Sequence, residues 1–222
     1  MRKRVIRYLV GRFYKPLLVR YLSKTRKYRF KGIELLIPPE VFHPAFFFST
    51  KYLIRYIDGL ALEQKSFLEL GAGSGLISFF AAKKGAKVTA TDINPVAVSY
   101  LEKNNELNKA KLAEIIHSDL FNDVSSRTFD IIAINPPYYK KQPKNFAEHA
   151  WYCGENGEYF DRLFQALPSY MHQQSMVLMT LSDACDEPMI RSLAAKNGCT
   201  LNRVHSMKNM MEEIYIFKVE HN

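Results

Sequence analysis

The segment Asn135-Pro136-Pro137-Tyr138 carries the clearest indication of chemistry in the 222-residue sequence. Proline fixes its own φ, lacks an N–H donor and biases the preceding residue toward extended backbone, so we expect Asn135 and Pro136 to be held rigidly. Their oxygens could then accept the two N–H hydrogens of an amide or an exocyclic amine, while Tyr138 stacks on the flat group. The alternative is a strand that ends in an irregular proline turn and performs no chemistry.

An amide or aromatic amine nitrogen is a poor nucleophile because its lone pair is delocalised into the planar π system. Catalysis at such a nitrogen depends on positioning and on stabilising the positive charge that develops there. The predicted oxygens of Asn135 and Pro136 could do both, and neither task requires a metal ion. We predict no metal site, because the cysteines form no C-x-x-C pair and no evident cluster with histidine; they are Cys153, Cys185 and Cys199.

The turn Glu69-Leu70-Gly71-Ala72-Gly73-Ser74-Gly75 indicates a bound nucleoside, because glycines let backbone approach a ligand that a Cβ would block. Taken alone, such a turn is also compatible with a tight turn that binds nothing. Its G-x-G-x-G spacing differs from the dinucleotide pattern G-x-G-x-x-G, and an acid beside it opposes a diphosphate. An acid suits a ligand with a cationic amino acid group. We therefore predict cofactor contacts from Glu69, Gly71, Ala72, Gly73 and Gly75.

Two further acids follow the next predicted strands. Asp92 ends one of them and could accept hydrogen bonds from both ribose hydroxyls. Alternatively, Asp92 caps the helix that begins at Pro95, a task that Asn94 could perform equally well. Asp119 ends the following strand, where it could accept from an adenine amino group, although alone it is an ordinary strand-end acid.

The elements that position these residues follow a regular rhythm from Ser66 onward, with short apolar runs separated by helical stretches. This pattern predicts an α/β fold with a doubly wound, seven-stranded, mainly parallel sheet. Ligands bind such folds at the carboxyl ends of the strands. Upstream we predict a strand within 32–37 and a helix within 49–62. The seven strands are Phe67–Leu70, Lys87–Thr91, Ala113–His117, Phe129–Ile134, Met176–Leu181, Leu201–Ser206 and Ile214–Val219, and their helices begin near Ser74, Pro95, Glu155 and Glu187.

The glycine turn, the ribose acid and the adenine acid occur in the order found in class I S-adenosylmethionine-dependent methyltransferases, which residues 35–219 resemble. The resemblance implies a Rossmann-like methyltransferase fold and S-adenosylmethionine as the cofactor. It also implies that Ile93, Leu120 and Asn135 border that cofactor. Asn135-Pro136-Pro137-Tyr138 is similar to the motif of methyltransferases that modify release-factor glutamine, adenine N6 or guanine N2.

The glutamine methyltransferases give the nearest resemblance, through Thr91-Asp92-Ile93-Asn94-Pro95, Ser118-Asp119-Leu120-Phe121, Gly154-Glu155-Asn156-Gly157 and the segment from Val41 to Thr50. By this resemblance Thr50 contacts the cofactor. The sequence departs from the family pattern at Ser49, where that family has an acid. An arm of about 31 residues also stands where the bacterial enzymes have a longer helical domain that grips the release factor.

The net charge of +9 belongs to that arm, because residues 1–31 contain 12 Lys and Arg and the first acid is Glu34. The remainder has 19 basic against 22 acidic residues, a net charge of −3. We predict a basic helical arm at 1–31 and a methyltransferase domain at 32–222. The arm could pack on the domain, bind RNA phosphates or lie on an anionic membrane. Charges interrupt its apolar residues, so we predict a cytoplasmic protein with no signal peptide and no transmembrane segment.

Two other groups of residues have ambiguous patterns. The segment after Tyr138 contains His149, Trp151 and Tyr152 and begins with basic residues, so it could be a phosphate-binding lid or a solvated loop. We expect three methionines to fill core or a loop edge. The basic residues are Lys140, Lys141 and Lys144, and the methionines are Met207, Met210 and Met211.

Taken together, the sequence predicts an S-adenosylmethionine-dependent N-methyltransferase with a macromolecular substrate. We favour an RNA or DNA base, because of the basic arm and because the helical recognition domain is replaced. The alternatives are a glutamine N5-methyltransferase acting on a release-factor-like protein and a non-catalytic module that keeps the cofactor fold as a binding scaffold. The sequence leaves the oligomeric state open.

Overall fold

The computed structural model describes residues 20–46, 48–208 and 212–221. Its strands are β1 (Arg26–Phe30), β2 (Ile33–Ile37), β3 (Ser66–Leu70), β4 (Lys87–Asp92), β5 (Glu114–His117), β6 (Ile131–Ile134), β7 (Met176–Ser182), β8 (Cys199–Lys208) and β9 (Glu213–His221). Its α-helices are α1 (Phe48–Ile57), α2 (Leu76–Lys83), α3 (Pro95–Asn108), α4 (Glu158–Ala166) and α5 (Glu187–Lys196). Short 3₁₀ helices lie at Glu148–Ala150 and Leu167–Tyr170.

Seven strands form one sheet in the order β5-β4-β3-β6-β7-β9-β8. The five strands β5, β4, β3, β6 and β7 run parallel to one another, whereas β9 is antiparallel to both β7 and β8. The predicted seven-stranded, mainly parallel sheet is therefore confirmed. Two predicted helices begin at the expected residues, Pro95 and Glu187, and the others begin slightly later, at Leu76 and Glu158.

The sheet is covered on both faces, which explains why its central strands are continuous apolar runs. Strand β6 is buried at every position. Ile131 and Ala133 join one hydrophobic cluster, and Ile132 and Ile134 join another. Since successive side chains of a strand point to opposite faces, these clusters are the two cores of a three-layer structure.

Residues 26–37 form a separate hairpin, in which β1 pairs antiparallel with β2. Its turn, Lys31-Gly32, has positive φ at both residues, 47° and 76°, as a two-residue hairpin turn requires. Tyr28 and Phe30 pack against the core, while Lys27 and Arg29, which alternate with them, are exposed. The predicted helical arm is therefore wrong over residues 26–30, because this two-residue alternation makes a strand. The predicted boundary at residue 31 falls in the hairpin turn, and residues 1–19 of the arm lie outside the described residues.

Two asparagines of α3 hold this hairpin against the main domain. Asn104 accepts from Leu36 N at 2.8 Å and donates to Leu36 O at 3.1 Å, and Asn108 does the same with Glu34 at 2.9 and 2.6 Å. The two asparagines lie one helical turn apart. They therefore satisfy the backbone N–H and C=O groups of Glu34 and Leu36, which face the edge of β2 that is not paired with β1. Asn104 also donates to Ser74 O at 3.2 Å, which links the hairpin to the glycine turn.

The remaining sequence expectations have mixed outcomes. Met207 packs against the first cluster, as predicted, whereas Met210 and Met211 lie outside the described residues. Among the helices of the described residues, none is long and apolar enough to cross a bilayer.

Candidate functional site

A cavity of about 1200 Å³, which includes space open to solvent, lies at the carboxyl ends of β3, β4, β5 and β6. The ends of neighbouring parallel strands meet at one edge of a sheet, so residues far apart in sequence converge there. All the predicted site residues except Gly75 line this cavity. They are Thr50, Glu69, Gly71, Ala72, Gly73, Asp92, Ile93, Asp119, Leu120, Asn135, Pro136, Pro137 and Tyr138.

The glycines of the turn have two different tasks. Gly71 has a φ of +69°, and a Cβ built on it would have no atom within 4 Å, so its backbone faces open cavity. Gly75 lies outside the cavity lining, with a φ of +84°. A Cβ there would come within 2.5 Å of Phe79 and 2.6 Å of Leu101. Gly75 therefore allows the start of α2 to pack closely against α3, and it is the one predicted cofactor residue outside the cavity lining.

Asp92 is 9% exposed and is held by two backbone donors. One carboxylate oxygen accepts from Gly73 N and the other from Asn94 N, each at 2.8 Å. Asn94 accepts from Val96 N at 2.9 Å and so caps α3 itself. Burial raises the pKa of Asp92, while the two backbone hydrogen bonds oppose that rise. Each oxygen keeps acceptor capacity beyond its backbone bond, as two ribose hydroxyls would need.

Glu69 is a buried acid at the bottom of the turn, 3% exposed. One of its oxygens accepts from the backbone N–H of Ser78 at 2.7 Å and also from the Ser78 hydroxyl. Burial raises the pKa of Glu69 to about 8, against these two hydrogen bonds, and the nearby Asp92 adds to the rise. A cationic group bound in the cavity would favour the charged form of Glu69.

The acid after β5 has a partner that the sequence did not indicate. Asp119 accepts from Arg162 of α4 at 2.6 Å through one oxygen. The next residue, Leu120, has a φ of +54°, a strained value for leucine. The Ser118 hydroxyl donates to Leu120 O at 2.9 Å and accepts from Asp123 N at 3.0 Å. These two bonds fix the strained residue in the cavity wall, and backbone strain of this kind often accompanies a binding site.

The segment Asn135–Tyr138 follows β6 directly, with both prolines buried. The amide of Asn135 lies between two hydroxyls, accepting from Thr180 at 2.7 Å and donating to Thr50 at 3.4 Å. Tyr138 packs against the second core cluster. Burial raises the pKa of Tyr138, opposed by a hydrogen bond with Ser182. The motif is thus braced by its neighbours and still faces the cavity.

The segment after Tyr138 folds back on itself. Its ends are joined by hydrogen bonds from Tyr139 N to Trp151 O and from Cys153 N to Tyr139 O, both at 3.0 Å. His149 and Trp151 line the cavity, and the Trp151 ring lies 5.2 Å from that of Phe42. The third predicted lid residue, Tyr152, lies outside the cavity lining, with the Lys141 ammonium 4.4 Å above its ring.

Two of the three lysines at the start of this segment form ion pairs with acidic residues. Lys140 pairs with Asp186 at 3.2 Å and Lys141 with Glu148 at 3.0 Å. Both ion pairs are partly exposed and therefore weak, so they do not decide between the phosphate-binding lid and the solvated loop. Across the described part of the chain, no group of three or more His, Cys, Asp or Glu side chains could hold a metal ion.

Several residues at or beside the cavity were missed by sequence reasoning. Phe42, Tyr139, Phe146 and Tyr159 line it, while Arg162, Thr180 and Ser182 contact residues that do. Tyr139 follows the motif directly and could have been proposed from adjacency. No sequence pattern indicated the β7 hydroxyls of Thr180 and Ser182, because their contacts with Asn135 and Tyr138 depend on which strand lies beside β6.

Comparisons with known proteins agree with this geometry. The family model described as methyltransferase small domain matches residues 34–151. This chain belongs to the methyltransferase small domain family. It is an S-adenosylmethionine-dependent methyltransferase, as the sequence predicted, and its fold is the Rossmann-like methyltransferase fold.

Relatives of this methyltransferase carry names of two substrate classes. A Methanocaldococcus jannaschii protein, provisionally named a protein N5-glutamine methyltransferase, is 36% identical over 163 residues, covering 71% of this chain and 80% of that protein. A tRNA1(Val) (adenine(37)-N6)-methyltransferase from a Flavobacteriaceae bacterium is 33% identical over 84 residues, 36% of each chain. The solved E. cuniculi Mtq2–Trm112 complex superposes with a TM-score of 0.61 at 22% identity, covering 82% of this chain and 99% of that chain.

Proposed function

We propose that this methyltransferase methylates the side-chain amide nitrogen of a glutamine in a protein. The observation that carries the proposal is the continuity of one cavity from Gly71 and Asp92 to Asn135 and Pro136. A cofactor at the glycine turn and an amide at Asn135 would therefore lie in the same cavity. The N5-glutamine relative supports a glutamine acceptor, because the likeness spans most of both chains.

The residues around the turn fit S-adenosylmethionine, which supplies a methyl group on a sulfonium when bound. We assign the two oxygens of Asp92 to the ribose hydroxyls and Glu69 to the cationic amino acid group. The oxygen of Asp119 that does not accept from Arg162 would take the adenine amino group. Ile93 and Leu120 would border the base. The open space over Gly71 leaves room for the ligand that a Cβ would obstruct.

The acceptor end of the cavity can orient an amide nitrogen. The side-chain oxygen of Asn135 and the carbonyl of Pro136 would accept its two N–H hydrogens, which directs the nitrogen lone pair away from them. Both oxygens also stabilise positive charge as it develops on that nitrogen. Tyr138 would lie against the planar amide and limit its rotation.

The second candidate is the exocyclic amine of a nucleic-acid base, which the sequence had favoured. It presents the same planar NH₂ group, and the tRNA methyltransferase relative supports it over a shorter stretch. The exposed Lys27 on β1 could contact a phosphate. Against it, the likeness to the tRNA methyltransferase relative covers 36% of this chain, whereas the likeness to the N5-glutamine relative covers 71%.

Transfer of a labelled methyl group separates the two candidates. The enzyme is incubated with labelled S-adenosylmethionine and a cell lysate, and the products are treated with protease or nuclease before separation. We expect protease-sensitive label, found as N5-methylglutamine after proteolysis and mass spectrometry. Asn135→Ala, treated identically, serves as the inactive control. Label released by nuclease alone would contradict the glutamine proposal and support a base.

A further inference from the structure

Strand β7 places two hydroxyl side chains behind the motif that follows β6. The parallel register pairs Ile134 with Met179, so the next residues along the two strands are Asn135 and Thr180. Thr180 is completely buried and Ser182 is 3% exposed. Because alternate residues of a strand share a face, both hydroxyls lie on the same side of β7.

The distances indicate which end of the Asn135 amide faces Thr180. The Thr180 hydroxyl and the Asn135 side-chain oxygen are 2.7 Å apart, a typical O–H···O length and short for an N–H···O bond. The amide nitrogen donates instead to the Thr50 hydroxyl, at 3.4 Å. Thr180 therefore occupies one acceptor site of the oxygen and leaves the other for a ligand.

The orientation matters because the two ends of an asparagine amide have nearly the same shape. A half-turn of the amide exchanges oxygen for NH₂ with little steric consequence, but it would present N–H groups to a substrate that also offers N–H groups. Two donors facing each other form no hydrogen bond. The proposed reaction therefore needs a contact that holds the oxygen toward the substrate.

We propose that Thr180 is a positioning residue for methyl transfer, whose hydroxyl fixes the amide orientation of Asn135. This inference rests on the proposed function, because it assumes that Asn135 accepts from the acceptor nitrogen. Thr180 lies behind the motif, outside the cavity lining, and acts through Asn135 alone. The hydrogen bond to Asn135 also explains how the completely buried hydroxyl of Thr180 is tolerated, since an unpaired hydroxyl would be unfavourable there.

The test is Thr180→Val, which keeps the shape of the side chain and removes the hydroxyl. With the acceptor that the labelling experiment identifies, kcat should fall roughly tenfold to a hundredfold, since loss of orientation affects the transition state. The Kd for S-adenosylmethionine and the KM for the acceptor should change little. Thr180→Ser restores the hydroxyl and should recover most of kcat.

The matched control is Thr89→Val, the same change at a buried threonine of β4 whose hydroxyl accepts from Arg127 at 3.0 Å. Its kcat should stay at the wild-type value. A readout independent of activity is the nuclear Overhauser contact of the Asn135 side-chain NH₂, which should be stronger to Thr50 than to Thr180 in the wild type. The reverse contact, or a Thr180→Val kcat equal to that of the wild type while Asn135→Ala is inactive, would overturn the positioning role. An unimpaired Asn135→Ala would instead defeat the proposed function itself.

Discussion

The carboxylate of Asp92 and the backbone N–H of Gly73 are joined by a 2.8 Å hydrogen bond. A second link runs beside it, from Ala72 N to Thr91 O, also at 2.8 Å. The glycine turn after β3 and the acid at the end of β4 therefore form one unit. A substitution at either residue should therefore weaken the binding of a ligand that contacts both.

Asp92→Asn should weaken S-adenosylmethionine binding by about tenfold to a hundredfold, which corresponds to the roughly 1.5 to 3 kcal/mol of a hydrogen bond to a charged group. The neutral amide loses the charge and one acceptor while keeping the side-chain shape. Isothermal titration calorimetry measures the Kd. Asp161→Asn, at a surface carboxylate that pairs with Lys196, is the matched control and should bind as the wild type does. An unchanged Kd in Asp92→Asn would remove the ribose assignment.

Gly71→Ala should mainly weaken cofactor binding, whereas Gly75→Ala should mainly lower the stability of the fold. At Gly71 a Cβ meets no atom, so stability should fall by about 1 to 2 kcal/mol from the positive φ alone, while cofactor binding falls at least tenfold. At Gly75 the Cβ also clashes with buried Phe79 and Leu101, so stability should fall by roughly 2 to 5 kcal/mol.

Urea denaturation and calorimetry on both glycine variants measure the two effects separately. If Gly71 borders the cofactor and Gly75 serves helix packing, Gly71→Ala should remain folded and bind S-adenosylmethionine poorly. If Gly71→Ala bound the cofactor like the wild type, the open space above that residue would not be where the ligand lies.

Much of the sheet could be predicted because local hydrophobic patterns determine where the strands lie. The apolar runs that became β6 and most of β7 are buried on both faces of the sheet, and this burial leaves a nearly continuous apolar pattern in the sequence. The convergence of Asp92, Asp119 and Asn135 on one cavity followed from the rule that parallel strands present their carboxyl ends together.

What the sequence could not reveal depends on contacts between distant segments. The pairing of Thr180 with Asn135 is set by the β6–β7 register, and Arg162 reaches Asp119 from α4, about 40 residues further along the chain. The error at residues 26–30 has another cause. Their basic residues suit a helical arm and an exposed strand face equally well, and the hairpin turn at Lys31-Gly32 decides between them.

The buried Glu69 should make cofactor binding depend on pH. Burial raises the pKa of Glu69 from its ordinary 4.5 to about 8, against the hydrogen bonds from Ser78 and with the help of Asp92. Near pH 6 the free enzyme therefore holds a proton that a cationic ligand displaces. Affinity for S-adenosylmethionine should rise between pH 6 and 7.5, by at most about tenfold per pH unit.

Calorimetry in buffers of different ionisation enthalpy should detect this proton release, and Glu69→Gln should abolish it. The same shift affects folding with a definite sign. The stabilising effect of protonated Glu69 is complete below its unfolded pKa and is lost as pH rises through about 8. An affinity that stays constant with pH in the wild type would show that Glu69 does not face the cationic group.

Asn135→Ala removes the proposed acceptor oxygen and should lower kcat by about a hundredfold to a thousandfold, as loss of one preorganised transition-state contact does. The effect on the Kd for S-adenosylmethionine should be much smaller, because the ribose and ammonium contacts are elsewhere. Asn135→Asp keeps oxygen acceptors in the same shape and can still accept from Thr180, so it should retain more activity than Asn135→Ala. Single-turnover transfer of labelled methyl measures the chemical step directly. A wild-type rate in Asn135→Ala would show that the Asn135 oxygen is not needed for methyl transfer, which would contradict the proposed mechanism.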